Sequence, residues 1–354
     1  MVRHWFAGNL YTMPLPVQSR FSLVLFVLTL SLLLAGNARA ELVWTAQNGW
    51  KLEGGALAGV SGKEAKSALE MMNRARAAEE KGSTGSAVSY YSKVAKKYPN
   101  SVYAPEAQYR LGKAQLARKK YTKAYEALQT VATRYPSTSH YNEVIGLQYT
   151  IGTSLLDGAR NRFWVIFPGF TNREKGIEYL EILLMEAPFS EYAPLALMSI
   201  AQGHAYLKNE EEAMDALDRM INTYPQSVLA PDAYLGLAKA HASLVAGPYY
   251  DQASTRDSIT YYEDFMILFP SDNNVATAEK GLTDMKRVLA ESKIKIADFY
   301  FKKRDNYKAA RVFYNDAITV YPDSDVAAKA RAGLAQIDAA IAKAGVPKKR
   351  FFFF

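Results

Sequence analysis

From Lys63 almost to the end of the chain, apolar residues recur at i, i+3, i+4 and i+7, and alanine fills many of those places. That period is the stripe of an amphipathic helix, so the sequence predicts a run of helices, and no segment shows a convincing strand pattern. Residues 41 to 62 (ELVWTAQNGWKLEGGALAGVSG) depart from it: they are glycine-rich, lack the helical period and read as a flexible tether leading to the first helix. Trp44 and Trp50 stand out there. Two readings stay open for them, a pair that packs on the first helices and a pair that meets a partner.

The helical stretch is self-similar. A residue followed by proline recurs as Tyr98-Pro99, Tyr135-Pro136, Ala187-Pro188, Tyr224-Pro225, Phe269-Pro270 and Tyr321-Pro322, with the prolines 37, 52, 37, 45 and 52 residues apart. A basic unit in the mid-thirties of residues, carrying insertions, accounts for those intervals. Four of the six continue as Pro-x-Ser, at Ser101, Ser190, Ser227 and Ser324, which places a capping hydroxyl before the next apolar run. Two units align without a gap, residues 103 to 136 and 192 to 225.

Their residues resemble a tetratricopeptide repeat. Leu111 and Gly112 in the first helix, Ala124 and Leu128 in the second, and the closing Pro136 sit at the spacings of that family; the second copy has Ile200, Ala201, Ala213, Leu217 and Pro225. Small residues let two helices approach, the leucine fills the gap toward the neighbour, and the proline stops the second helix. One such hairpin cannot bury its apolar face alone, so stacking is required. The expected fold is all-α: a right-handed α-solenoid over residues 63–345, of about six TPR-like hairpins. These are 64–99, 101–136, 139–188, 190–225, 227–270 and 275–322, with Asp323 to Lys343 as a closing helix.

Before the helices, Arg20 precedes an apolar run from Phe21 to Gly36, and Ala38-Arg39-Ala40 supplies the small-x-small pattern of a cleavage site. Residues 1–40 therefore read as a secretory signal peptide, Met13 being an alternative start. As a helix the run would span about 24 Å against a bilayer core of about 30 Å, an uncleaved anchor being the other reading. Leu34-Ala35-Gly36-Asn37 would be a lipoprotein box if residue 37 were cysteine, but the chain contains no cysteine at all. Acylation, disulfides, thiolate metal ligands and cysteine nucleophiles are thereby excluded. The formal net charge is +8, with three arginines and no acid in the leader. So small an excess, spread over such a length, does not argue for a nucleic-acid partner.

Candidate chemistry is sparse. Of His4, His140, His204 and His241, the last two lie 37 residues apart and each ten residues beyond a proline, Pro194 and Pro231, as duplication of a packing position would leave them. No H-x-x-x-H, glycine-rich phosphate loop or nucleophile elbow occurs, so no catalytic residue, metal or cofactor is expected. The run Glu210-Glu211-Glu212 falls at a helix start, where anionic side chains favour the positive dipole end.

A narrower similarity covers residues 228–340. The run AGPYYDQASTRDSITYYEDFMILFPSDN (246 to 273) and the segment 283 to 324, with Phe299-Tyr300-Phe301 and Tyr321-Pro322-Asp323-Ser324, resemble the BamD family of outer-membrane assembly lipoproteins. That resemblance implies a non-enzymatic exported scaffold at the periplasmic face of the outer membrane, meeting a barrel-assembly pore or its β-barrel clients. It also marks Tyr249, Tyr250, Arg256 and Asp257 as partner-binding candidates. The alternatives are an adaptor for cell-wall synthesis or secretion machinery, and a carbohydrate-binding protein.

Two further stretches offer contact surfaces. The insertion 158 to 176 carries Phe163, Trp164, Phe167 and Phe170 framed by Arg160, Arg162 and Arg173; it either tucks onto the solenoid or presents aromatic anchors, the composition of interface hot spots. The tail 346–354 ends in Lys348, Lys349, Arg350, Phe351, Phe352, Phe353 and Phe354. Burying each phenylalanine would gain about 1.5–3 kcal/mol, and a basic collar would add about 1 kcal/mol per charge at an anionic bilayer. Membrane docking in place of the missing lipid, folding back onto the last helix or the solenoid groove, and mimicry of a barrel client all remain open.

Overall fold

A computed structural model describes residues 41–45, 47–53, 62–162, 168–250 and 252–345. The signal segment, the aromatic tip Phe163, Trp164 and Phe167, and the basic-aromatic tail lie outside them. Among the described residues the elements are β1 (Glu41–Thr45), β2 (Gly49–Glu53), α1 (Lys63–Glu80), α2 (Thr84–Lys97), α3 (Ala104–Ala117), α4 (Tyr121–Arg134), α5 (Tyr141–Leu156), β3 (Arg160–Arg162), β4 (Pro168–Thr171), α6 (Arg173–Glu186), α7 (Tyr192–Leu207), α8 (Glu210–Thr223), α9 (Ala230–Ser243), α10 (Ala253–Leu268), α11 (Val275–Arg304), α12 (Tyr307–Val320) and α13 (Asp325–Gly345). Six consecutive helix pairs and a closing helix thus make an all-α solenoid, decorated by two small hairpins. The chain divides into two compact units, one ending at Ala114 and one beginning at Gln115.

The second helix of every pair follows one rule. Counting back from its closing proline, the twelfth residue is small (Ala87, Ala124, Gly176, Ala213, Ser258, Ala310), the eighth is large (Tyr91, Leu128, Leu180, Leu217, Tyr262, Tyr314) and the fifth is apolar (Val94, Val131, Leu183, Met220, Phe265, Ala317). All are buried. Positions i, i+4 and i+7 share one helical face, so this spacing aims small, large and apolar groups at the same neighbours. The residue before each proline leaves the α region, with φ between −143° and −127° and ψ between 51° and 77°, as the proline ring demands of its predecessor. Its N–H still reaches back to the carbonyl of the fifth residue, for example Tyr98 to Val94 at 2.9 Å, which closes the helix with the same turn each time.

The first unit contains a correction. Residues 41–53 are not a tether: β1 and β2 pair antiparallel with Trp44 opposite Trp50 and Thr45 opposite Gly49. Trp50 is buried in a core with Met72, Tyr91, Val94 and Tyr103, against which Leu42 and Trp44 also pack. The Arg76 guanidinium lies 4.4 Å from the Trp44 ring and that of Arg110 lies 4.8 Å from the Trp50 ring. Both arginines converge on Glu79, at 3.1 and 3.5 Å, and the Tyr91 hydroxyl donates to the same carboxylate at 3.0 Å. Burial first, then the Glu79 charge, pushes the Tyr91 phenol up, so it stays a donor. Of the two readings of the tryptophans, packing on the first helices is the one observed. Gly49 turns at φ +67°, and a Cβ there would lie 2.7 Å from Asn73 Oδ1, the atom that accepts from Trp50 N at 2.8 Å.

In the second unit, helices adjacent in sequence are adjacent in space from α4 to α13. Two cores recur in it. One gathers Leu235, Ala238, Tyr262, Phe265 and Ala278; the other gathers Ala290, Ala297, Tyr314, Val326 and Ile337. The expected serine caps are met in part: Ser324 Oγ accepts from Ala327 N at 3.0 Å, whereas Ser227 Oγ accepts from Leu229 N at 3.2 Å, ahead of the first turn of α9. The hydroxyls of Ser101 and Ser190 are buried without a partner among the described residues. Glu210, Glu211 and Glu212 occupy the first turn of α8, as the dipole argument requires.

Candidate partner-binding surfaces

The loop between α9 and α10 owes its shape to one carboxamide. Gly247, at φ +120°, offers its carbonyl to Tyr250 N at 3.3 Å, and Gln252 Nε2 donates to the carbonyls of Gly247 and Tyr250 at 3.0 and 2.8 Å. Gln252 is buried, so the loop is pinned from beneath while its two tyrosines face outward, Tyr249 79% and Tyr250 65% exposed. Lys295 Nζ of α11 sits 3.3 Å from the centre of the Tyr249 ring. Phe299, one helical turn beyond Lys295, is about half exposed. Its neighbours in sequence turn inward: Tyr300 stacks on Phe313 at 5.6 Å and Phe301 packs on Tyr307 at 5.9 Å. The result is an exposed row of aromatic and cationic groups on ordered backbone, the composition of an interface hot spot.

Arg256 and Asp257, near the start of α10, are exposed. Asp257 Oδ2 lies 3.7 Å from His241 Nδ1, and the His241 ring stacks on Tyr261 at 5.4 Å. The His204 ring instead approaches Asn209 Nδ2 at 3.5 Å. The two histidines share a repeat position and do not share a site. Among the described residues no group of three or more His, Cys, Asp or Glu could hold a metal ion.

The insertion in the third pair forms strands at its base, a second departure from the strand-free expectation. Arg160 pairs with Thr171 and Arg162 with Pro168, with an irregularity between. Asn161 ties this hairpin to α4: Thr122 N donates to Asn161 Oδ1 at 3.1 Å and Asn161 Nδ2 donates to Thr122 Oγ1 at 3.2 Å. Lys120, at the N-cap of α4, makes no side-chain cap bond, so Asn161 supplies one from 39 residues away. The base tucks, while Phe170 is 94% exposed.

One feature escaped the sequence. Between α5 and α7 lies a cavity of about 460 Å³, lined by Tyr149, Thr153, Asp157, Arg173, Gln202 and Tyr206 among others. The Arg173 guanidinium lies 4.3 Å from the Tyr206 ring, and its Nε is buried with no hydrogen-bond partner among the described residues. Tyr149 OH is 3.4 Å from Ser199 Oγ across the gap. Only the helical period of α5 and α7 hinted at this surface, since Thr153 and Gln202 occupy positions that a fully apolar face would not spare.

These surfaces sit on a recognisable framework. The family model of YfiO, described as an outer membrane lipoprotein, matches residues 64–202 and 170–350. The chain belongs to this family. The resemblance to BamD read at residues 228–340 therefore extends over nearly the whole helical array, in two overlapping segments. No curated protein matches the chain. Among solved structures, a tetratricopeptide repeat protein from Parabacteroides merdae is 14% identical over 78% of this chain and 100% of that one, with a TM-score of 0.31. The C-terminal part of a TPR repeat-containing protein from Cytophaga hutchinsonii is 17% identical over 75% and 87%, with a TM-score of 0.34. PilW, a type IV pilus biogenesis factor, is 15% identical over 76% and 99%, with a TM-score of 0.25.

Proposed function

We propose that this protein is an exported, non-enzymatic scaffold that holds proteins together during assembly of outer-membrane β-barrels, at the periplasmic face of that membrane. The observation that carries the reading is the family match across both segments of the repeat array. The pinned Tyr249–Tyr250 loop supports it by presenting contact residues on backbone that need not reorganise on binding. Attachment is a separate matter: Asn37 stands where a lipoprotein box would have cysteine, and the sequence offers no thiol to acylate. Among the described residues no helix is long and apolar enough to cross a membrane. The reading assigns attachment to partner contacts, with the segment Lys348 to Phe354 as a second hold on the bilayer surface.

Affinity recovery from detergent-solubilised envelopes tests it, with the tag after Ala40 and the C-terminus left free. Stoichiometric recovery of a barrel-assembly pore is the expected result. The Tyr249→Ala/Tyr250→Ala double variant should cut that recovery severalfold without lowering the melting temperature, since both rings are exposed. Recovery of wall-synthesis or secretion machinery in place of the pore would overturn the assignment.

A further inference from the structure

In the second unit the turns that close the helix pairs lie along one edge, and two of the pairs break a polar rule there. The residue after the closing proline is Asn100, Ser137, Gln226, Ser271 or Asp323 in five pairs and Phe189 in the third. Three places before that proline stand Lys96, Thr133, Asn222 and Thr319, but Met185 in the third pair and Ile267 in the fifth. All three outliers face outward. Phe189 is 99% exposed and Met185 and Ile267 are 74% exposed, with Val228 and Leu268 exposed as well. Side chains that the repeat does not require and water does not favour mark a contact surface.

These residues form one strip. Tyr224 OH donates to the Pro188 carbonyl at 2.7 Å, so the third and fourth turns touch, and Phe189, Pro194, Tyr224 and Pro225 line a hollow of about 420 Å³ there. The Tyr234 ring meets that of Phe269 at 5.7 Å, which sets the start of α9, just past Val228, against the end of α10 at Ile267 and Leu268.

The charge around the strip has one sign. Residues 185–191, 222–232 and 263–274 hold Glu186, Glu191, Asp232, Glu263, Asp264 and Asp272, and no lysine or arginine. Lys286 of α11 neutralises Glu263, at 2.7 Å, while Glu191 and Asp232 stand exposed. An apolar strip with an acidic rim disfavours an anionic bilayer and suits a ligand that joins cations to apolar rings. The chain itself carries such a segment: Lys348, Lys349 and Arg350 run directly into Phe351, Phe352, Phe353 and Phe354.

A copy cannot seat its own segment there. Helix α13 runs beside α11 in the same direction, its start tied to Arg287 through Asp325 at 2.8 Å, so Gly345 lies level with the far end of α11. The turn edge is a full α11 length away, 30 residues or about 45 Å, whereas residues 346 to 354 span at most about 30 Å. The surface within their reach carries exposed Lys302, Lys303 and Arg304, which repel a basic segment. We infer that the strip of Met185, Phe189, Val228 and Ile267 takes the segment 348–354 of a second copy of this chain. Each copy carries both halves of the contact, so two copies close reciprocally into a pair. A seated segment is withheld from lipid, so pairing and the bilayer hold proposed above exclude each other.

Sedimentation equilibrium of the chain from Glu41 onward, free of detergent, tests this with two variants. The strip variant is Met185→Thr/Phe189→Ser/Ile267→Thr, each change installing a residue that another turn of this chain already uses at that place, so it should fold. The segment variant is Phe351→Ser/Phe352→Ser/Phe353→Ser/Phe354→Ser. The unaltered chain should pair, and either variant alone should weaken pairing roughly tenfold or more. Mixing the two should restore association, because one supplies the segment and the other the strip. Should the strip variant not fold, a labelled peptide of residues 346–354 is titrated against the segment variant by fluorescence anisotropy. It should bind roughly tenfold or more tighter than the same peptide with serine at the four phenylalanines. An unaltered chain that stays monomeric, a pair that survives loss of the phenylalanines, mixed variants that stay apart, or equal binding of the two peptides overturns the inference. The two readings fail separately. Envelope recovery of a barrel-assembly pore without pairing sinks only this contact, and pairing without that pore sinks only the assembly role.

Discussion

Glu186 ends α6 with one carboxylate oxygen held and the other bare. Gln129 Nε2 donates to Oε1, Gln148 Nε2 donates to Gln129 Oε1 at 2.8 Å, and Oε2 is buried with no partner among the described residues. Burial pushes the carboxyl above its usual range, and the two glutamine donors only partly offset it. The native state therefore binds this proton more tightly than the unfolded chain does. The contribution of Glu186 to stability is complete below the ordinary glutamate value of about 4.3 and is lost as pH rises from there through the raised native value. Glu186→Gln keeps an oxygen for Gln129 and removes the charge. Thermal melts should show the variant above the parent at pH 7 and the two curves converging below about pH 4; a constant offset across that range would exclude the mechanism.

At the scale of elements, helix pairs meet through their smallest residues. Gly176, at the position held by alanine in four other pairs and serine in one, packs so closely on α5 that a Cβ would lie 2.7 Å from the carbonyl oxygen of Gly152. A backbone atom cannot swing aside as a side chain can. Gly176→Ala should therefore destabilise by about 1–3 kcal/mol, overriding the gain of about 1 kcal/mol that alanine brings to a helix interior. Denaturant unfolding of the two proteins gives the sign directly. The corresponding alanines, Ala124 and Ala213, were legible from sequence because the repeat aligns without a gap there. Gly176 was obscured by the insertion that precedes it.

For the whole molecule, repeat arrays store stability locally, in each unit and its nearest contacts. Trp50 belongs to the first unit alone, buried with Met72 and Tyr91. Trp50→Ala should cost about 3–5 kcal/mol there. Native-state hydrogen exchange should show faster amides across α1 and α2 and unchanged protection across α11 to α13, whose core around Tyr314 is built from other residues. Equal loss of protection at both ends would mean that the array unfolds as one cooperative body.

Periodicity along the chain determined the helices and the six pairs, because a 3.6-residue stripe and a proline stop are local properties that each segment carries itself. The tyrosines of the 249–250 loop were marked by the family resemblance, not by periodicity, and the structure places both rings outward. The β1–β2 hairpin was missed although its signals were present, the alternation of Leu42 and Trp44 and the Asn48-Gly49 turn, because glycine-rich flanks masked five-residue strands. What sequence could not supply was contact at a distance. That Asn161 caps a helix 39 residues earlier, that Lys295 meets Tyr249, and that Arg173 lines a cavity with Tyr149 and Tyr206 all depend on which surfaces stacking brings face to face. Stacking follows from the summed shape of many buried side chains, and no single stretch of the chain encodes it.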